Sequence, residues 1–148
     1  MEQDQLRVKS DDLRVNLVAE EGASLSSGCL RLYAKAVVSG QCVEEGEITI
    51  VGAVDLYSYD PVNRRAAVGI MVANEYRRQG YALAMLHALK ELSATNNQLH
   101  TLYADIAATN TASLALFRKA GYTQCGHFKE WLEYDSHFVD TIRMQLIL

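Results

Sequence analysis

With 148 residues, 49% of them apolar and 22% charged, the chain has the size and balance of one soluble globular domain with a single sizeable core. Its net charge of −4 speaks against a nucleic-acid binder, which carries a basic face, and an acidic surface would steer cationic amines toward it. No apolar run approaches the ~20 residues that cross a bilayer. The polar, acidic start MEQDQLRVKSDD lacks the parts of a signal peptide, so a cytoplasmic address and no membrane partner are expected.

In chain order, the first 28 residues are the hardest to read, because LRVNLVAEE suits a strand or the opening of a helix. Residues 30–38, LRLYAKAVV, are β-rich with partial alternation and predict a strand. Residues 40–46, with Glu44 and Glu45, predict a polar turn, and residues 47–57, EITIVGAVDLY, the partner strand. Asp60, Pro61, Val62 and Asn63 form a turn signal, since proline suits the second turn position. Residues 66–72, AAVGIMV, are apolar on both faces, as in a central strand.

The period then changes. Ala82, Met85, Leu86, Leu89 and Leu92 recur at helical spacing after Gly80, and the helix is expected to stop around Thr95, Asn96 and Asn97. Residues 99–106 predict a strand. Residues 110–120 predict a short helix capped by Asn110 or Thr111, with Gly121 supplying the left-handed residue after its end. The remainder predicts a long hairpin turning near Asp135, Ser136 and His137. This is a mixed α/β order in one domain spanning 1–148, without repeat or linker. Cys29, Cys42 and Cys125 belong to no CxxC pair and lie near no histidine at ligand spacing. They are expected as small buried or half-buried thiols without a disulfide, and no metal site is expected.

The chemistry concentrates in VANEYRRQGYALAML. A strand runs into a loop with two arginines and a glycine, and a helix starts at once. A helix N-terminus leaves backbone N–H groups without partners and carries partial positive charge, so an anion there gains several hydrogen bonds. Gly80 lets backbone approach a diphosphate, Ala82 leaves the helix mouth open, and Arg77 and Arg78 add charge-assisted contacts. The same residues would also serve as a solvated turn easing the chain into a helix. No GK[ST] follows and no G-x-G-x-x-G is present, so neither nucleotide fingerprint applies.

Arg77-x-x-Gly80-x-Ala82 resembles the R/Q-x-x-G-x-G/A signature of the GNAT acetyltransferases. Asn110-x-x-Ser113-x-x-Leu116-Phe117-x-Lys119-x-Gly121-Tyr122 resembles that family's second cofactor-contacting helix. VGAVDLYSYDPVNRRAAVGI and GHFKEWLEYDSHFVDTIRMQLI are similar to the branch that acetylates spermidine and ribosomal-protein alanine. Together the resemblance covers residues 30–148 in the family's order.

The resemblance implies a mixed, largely antiparallel sheet with a splayed central strand pair and flanking helices. It implies acetyl-CoA as cofactor, with Ile70, Met71 and Val72 offering backbone groups to the pantetheine arm. Arg77, Arg78, Gln79, Gly80, Tyr81 and Ala82 would wrap the diphosphate, and Asn110, with Ser113 and Phe117 close by, would meet the pantetheine amide. The implied activity is direct acetyl transfer to a primary amine, a small molecule before a protein N-terminus. Relatives place a proton-donating tyrosine where this chain has Phe117; Ser113 is a weak replacement. Asp55 and Glu75 are the candidate bases. Fewer than 30 residues precede the strand at Leu30, where the resemblance implies a longer segment walling the acceptor site, so residues 1–29 are expected to be an atypical, shortened region. An acceptor pocket that is reduced, open or completed by another subunit follows, and with it a homodimer or higher homo-oligomer. The competing reading is a degenerate domain that binds acyl-CoA as a sensor or scaffold. Trp131 is expected in a core or an interface.

Overall fold

The structure, a computed structural model, describes residues 6–10, 13–37 and 48–148. One eight-stranded sheet runs in the order β1-β2-β3-β4-β5-β6-β8-β7. Its strands are β1 (Leu6–Ser10), β2 (Leu13–Ala19), β3 (Cys29–Ala36), β4 (Thr49–Asp60), β5 (Arg65–Val72), β6 (Thr101–Ala107), β7 (Thr123–Tyr134) and β8 (His137–Ile147). Two helices, α1 (Tyr81–Ala94) and α2 (Thr111–Lys119), interrupt the strand succession. Every neighbouring pair is antiparallel except β5 with β6. The expected mixed, largely antiparallel architecture is present.

LRVNLVA is a strand, because Val15 and Leu17 alternate into the core at zero exposure. Between β2 and β3 the chain makes only a 3-10 turn, Leu25–Ser27. Asp60 closes the β4–β5 connection as an Asx turn, its carboxylate accepting from the Val62 and Asn63 amides at 2.9 and 3.0 Å. The polar turn expected at 40–46, and Cys42, lie outside the described residues. The closing hairpin turns at Asp135 and Ser136, both at positive φ.

Period-two alternation gives the sheet two different faces. Leu32, Val54, Leu56, Val68, Leu102, Ala104, Ile142 and Met144 are buried on one face, in one cluster with Met85 and Leu89 of α1 and Leu114 and Phe117 of α2. Helix α1 packs across β1 and β2. Met85, Leu86 and Leu89 are buried as the spacing predicted, but Ala82 and Leu92 are only half-buried, while Tyr81, Ala84, Ala88 and Ser93 are buried. The helix is rolled so that its alanines meet the sheet, whose flat surface they can approach closely. On the other face stand Arg31, Asp55, Tyr57, Gly69, Tyr103, Asp105 and Arg143, all exposed or half-buried. Among the described residues no helix packs on that face.

One expectation is corrected here and another is narrowed. Cys29 and Cys125 are free thiols but exposed, because Cys29 opens a strand outside the core and Cys125 lies on the edge strand β7. Of the two places expected for Trp131, the core is excluded: the side chain is 64% exposed and its ring lies tilted against Phe128, centroids 5.1 Å apart.

Candidate functional site

Strands β5 and β6 pair only from Arg65–Thr101 to Ala67–Tyr103 and then part. Beyond that point each is bonded on its outer side only, β5 to β4 and β6 to β8. The inner edges therefore face a wedge-shaped gap with backbone groups available to a ligand. Tyr57, Gly69, Ile70, Asp105, Asn110, Ser113 and Phe117 are among its lining residues.

The gap continues into a groove of about 710 Å³ between the start of α1 and α2. Val72, Arg77, Arg78, Gly80, Tyr81 and Ala82 line one side, and Asn110, Ser113 and Lys119 the other. Asn110 and Ser113 line both cavities and so join them.

The two helix starts are built differently. Asn110 caps α2, its Oδ1 accepting from the Ser113 amide at 3.2 Å. Among the described residues no side chain caps α1; its cap position is Gly80, at φ 89°. That left-handed backbone is free of penalty only for glycine, and it leaves the first-turn amides of α1 open to a ligand acceptor. Arg78 also sits at positive φ, 61°, and Arg77 Nε donates to the Val72 carbonyl at 3.1 Å. Gln79 does not line the groove; its amide donates to the Glu75 carbonyl at 3.1 Å and braces the loop. An uncapped helix start flanked by Arg77, Arg78 and Lys119 fits a diphosphate.

Phe117 is buried, edge-on to Tyr122 at 4.9 Å, and presents only ring carbon to the gap. The Tyr122 hydroxyl is buried without a partner among the described residues, and burial pushes its pKa well above the usual phenol value. Of the candidate bases, Asp55 is held by Arg31 through two bonds, 2.7 Å to Nε and 2.9 Å to Nη2. Glu75 sits in the 3-10 turn Asn74–Tyr76, exposed, and lines neither cavity. Met71 is 55% exposed on the bare face.

Residues that spacing did not single out complete the gap. The Tyr57 ring lies across Gly69, where a methyl group would meet its Cε1 at 3.6 Å, and so reaches the mouth of the gap. Burial and then the Asp105 carboxylate raise its pKa, so it stays a neutral phenol. Asp105 is the carboxylate lining the gap, and Arg143 grips it from β8. Strand alternation was the available signal: Tyr103 and Asp105 fall opposite Leu102, Ala104 and Ile106.

The model of the acetyltransferase (GNAT) domain matches residues 19–123. The chain belongs to the GNAT family. This GNAT chain is 26% identical over 105 residues to spermidine N(1)-acetyltransferase of Vibrio cholerae serotype O1, covering 71% of this chain and 61% of that protein. It thus spans less than two thirds of that relative's length. Among solved structures, spermidine N-acetyltransferase from Vibrio cholerae in complex with CoA and spermine superposes with TM-score 0.72 at 21% identity. That likeness covers 82% of this chain and 67% of the other. A dodecameric structure of the Vibrio cholerae enzyme gives TM-score 0.70 at 21% identity, over 82% and 66%. These likenesses establish the fold.

Proposed function

We propose that this GNAT chain is an acetyl-CoA-dependent N-acetyltransferase acting on a primary amine of a small molecule. The observation that carries the reading is the continuous path from the uncapped start of α1, past Asn110 and Ser113, into the gap between β5 and β6. The amides from Arg77 to Ala82 receive the diphosphate, and the parted edge of β5 from Ile70 to Val72 pairs with the amide-bearing pantetheine arm.

Acetyl-CoA supplies a thioester whose acyl carbon accepts the amine as its C–S bond breaks. Asn110 and Ser113 orient the arm, and the backbone of β5 holds the reacting carbonyl, so positioning does most of the work. The ammonium gives up two protons: one balances the departing thiolate and the other leaves to solvent. Ser113 is the hydroxyl at the junction of groove and gap. Asp105, lining the gap, stands closer to the proton's route than Asp55, held by Arg31, or Glu75, on the far loop.

One observation favours a second reading: Phe117 offers no proton, as in a domain that binds acyl-CoA without turnover. Thiolates leave well without an acid, so we favour the enzyme. A cytoplasmic site of action fits a chain in which, among the described residues, no helix is long and apolar enough to cross a membrane. A homodimer or higher oligomer fits the bare sheet face, and a monomeric mass at micromolar concentration would count against it.

Calorimetric titration with acetyl-CoA is expected to show about one saturable site per chain, lost in Gly80→Val. Release of free thiol on adding an amine panel separates enzyme from sensor. Absence of acetyl-CoA binding at high concentration would sink both readings.

A further inference from the structure

The mouth of the gap is charge-balanced. Asp105 accepts from Arg143 Nε at 2.7 Å and from Nη2 at 2.9 Å. Arg143 is held in place by two rings, its guanidinium carbon lying 4.6 Å from the Tyr103 centroid and 5.2 Å from that of Phe128. A guanidinium carries five N–H donors in a fixed fork, and this pairing engages two of them. The Asp105 oxygens likewise keep lone pairs beyond those facing Arg143. Arg143 is 39% exposed and Asp105 33%, so both remain within reach of a ligand from solvent.

The next pair along the bare face repeats the arrangement, with Asp55 in the fork of Arg31. The four charges of these two pairs therefore sum to zero, although the chain as a whole carries −4. A polycation approaching Asp105 is repelled by Arg143 at almost the same distance, so the two contributions largely cancel. A ligand that itself bears one positive and one negative group meets a complementary dipole instead, with each end adding a charge-assisted bond to an existing pair.

Resting on the transferase reading, we propose that the acceptor is a small amine that also carries a carboxylate, its ammonium seated on Asp105 and its carboxylate on Arg143. Asp105 lines the gap and Arg143 lies outward of it on β8, so this orientation directs the nitrogen toward the gap. The Tyr57 ring, beside Gly69, walls the same mouth.

The test is calorimetric titration of CoA-loaded protein with glycine, β-alanine and 4-aminobutyrate against glycinamide, propylamine and spermidine. At least one aminocarboxylate is expected to bind tenfold or more tightly than its amide or decarboxylated counterpart. Arg143→Met should abolish that preference while strengthening the weak binding of propylamine, because Asp105 loses the neighbouring cation, and Asp105→Asn should weaken both kinds of amine. Arg143→Lys, which keeps the charge and loses the fork, should retain part of the preference. Unchanged acetyl-CoA affinity in each variant shows that it has folded. Spermidine binding more tightly than every aminocarboxylate, or a preference that survives Arg143→Met, would overturn the proposal. If acetyl-CoA binds and spermidine is acetylated while aminocarboxylates are ignored, the transferase reading stands and this inference alone falls. If acetyl-CoA does not bind, the same titration on unloaded protein, with and without Arg143→Met, decides whether the paired-charge site exists apart from it.

Discussion

The two faces of the sheet follow different rules. The helix-covered face is a continuous apolar cluster in which Leu17, Leu32, Met85, Leu89, Leu102 and Met144 are almost wholly buried. The bare face is a lattice of paired charges and aromatic rings, including Arg31–Asp55, Arg143–Asp105, Tyr57, Tyr103 and Phe128. The first holds the fold together and opens the donor groove; the second is free to be specialised. Stability should therefore be concentrated on one face, and selectivity on the other.

The sharpest way to break that comparison is Leu89→Ala. Leu89 is at zero exposure on the buried side of α1, and the substitution should cost about 3 kcal/mol in urea unfolding, as buried leucine truncations do. A loss below 1 kcal/mol would mean the covered face is loosely packed. Gly52→Ala should also destabilise by roughly 1–3 kcal/mol, because the added methyl group would run into the Met71 carbonyl and pry β4 from β5. Gly69→Ala, on the bare face, meets only ordinary contacts and should change stability by less than ~0.5 kcal/mol.

Smaller still is Arg31→Met. Its ion pair with Asp55 is open to solvent, with side chains 50% and 30% accessible, so the urea midpoint should barely move. Tyr122→Phe should be neutral or slightly stabilising, since it deletes a buried hydroxyl without a partner. A clear loss in thermal melts would reveal a bound water there.

The least change is expected where the β7–β8 register shifts between Phe128 and Leu132. Asp140 accepts from the Glu130 amide and from His127 Nε2, and these bonds hold its pKa below the usual carboxylate value. A depressed carboxylate adds stability above its ordinary pKa and loses it as pH falls through the folded value. Melting temperature should thus fall less steeply with acidification in Asp140→Asn than in the parent; identical slopes would remove this role.

The comparison also explains what the amino-acid order made legible. The donor groove could be read because its parts are contiguous: Arg77 to Ala82 is one loop, and Asn110 to Tyr122 one helix with its caps. Both helices, the Asp60 turn and the closing hairpin were readable for the same reason, since local periodicity and turn chemistry decide them. The segment LRVNLVAEE was ambiguous, because the weak alternation of such a short stretch does not separate strand from helix until β3 supplies a partner. The roll of α1 onto its alanines depends on the sheet beneath it, which helical spacing alone does not encode. The acceptor side was least legible. Tyr57, Gly69, Asp105 and Arg143 lie on four different strands and meet only through sheet register, so no spacing in the chain marks them as a group.

Trp131 is the only tryptophan in the chain, and its ring rests on Phe128, which in turn touches the Arg143 guanidinium. The molecule thus carries an intrinsic fluorophore wired to one side of the sheet alone. Excitation at the red edge of protein absorbance isolates it from the eight tyrosines. Its emission colour should report events around Arg143 and stay silent to occupancy of the donor groove, so that the two halves of a bisubstrate cycle can be followed separately without a label.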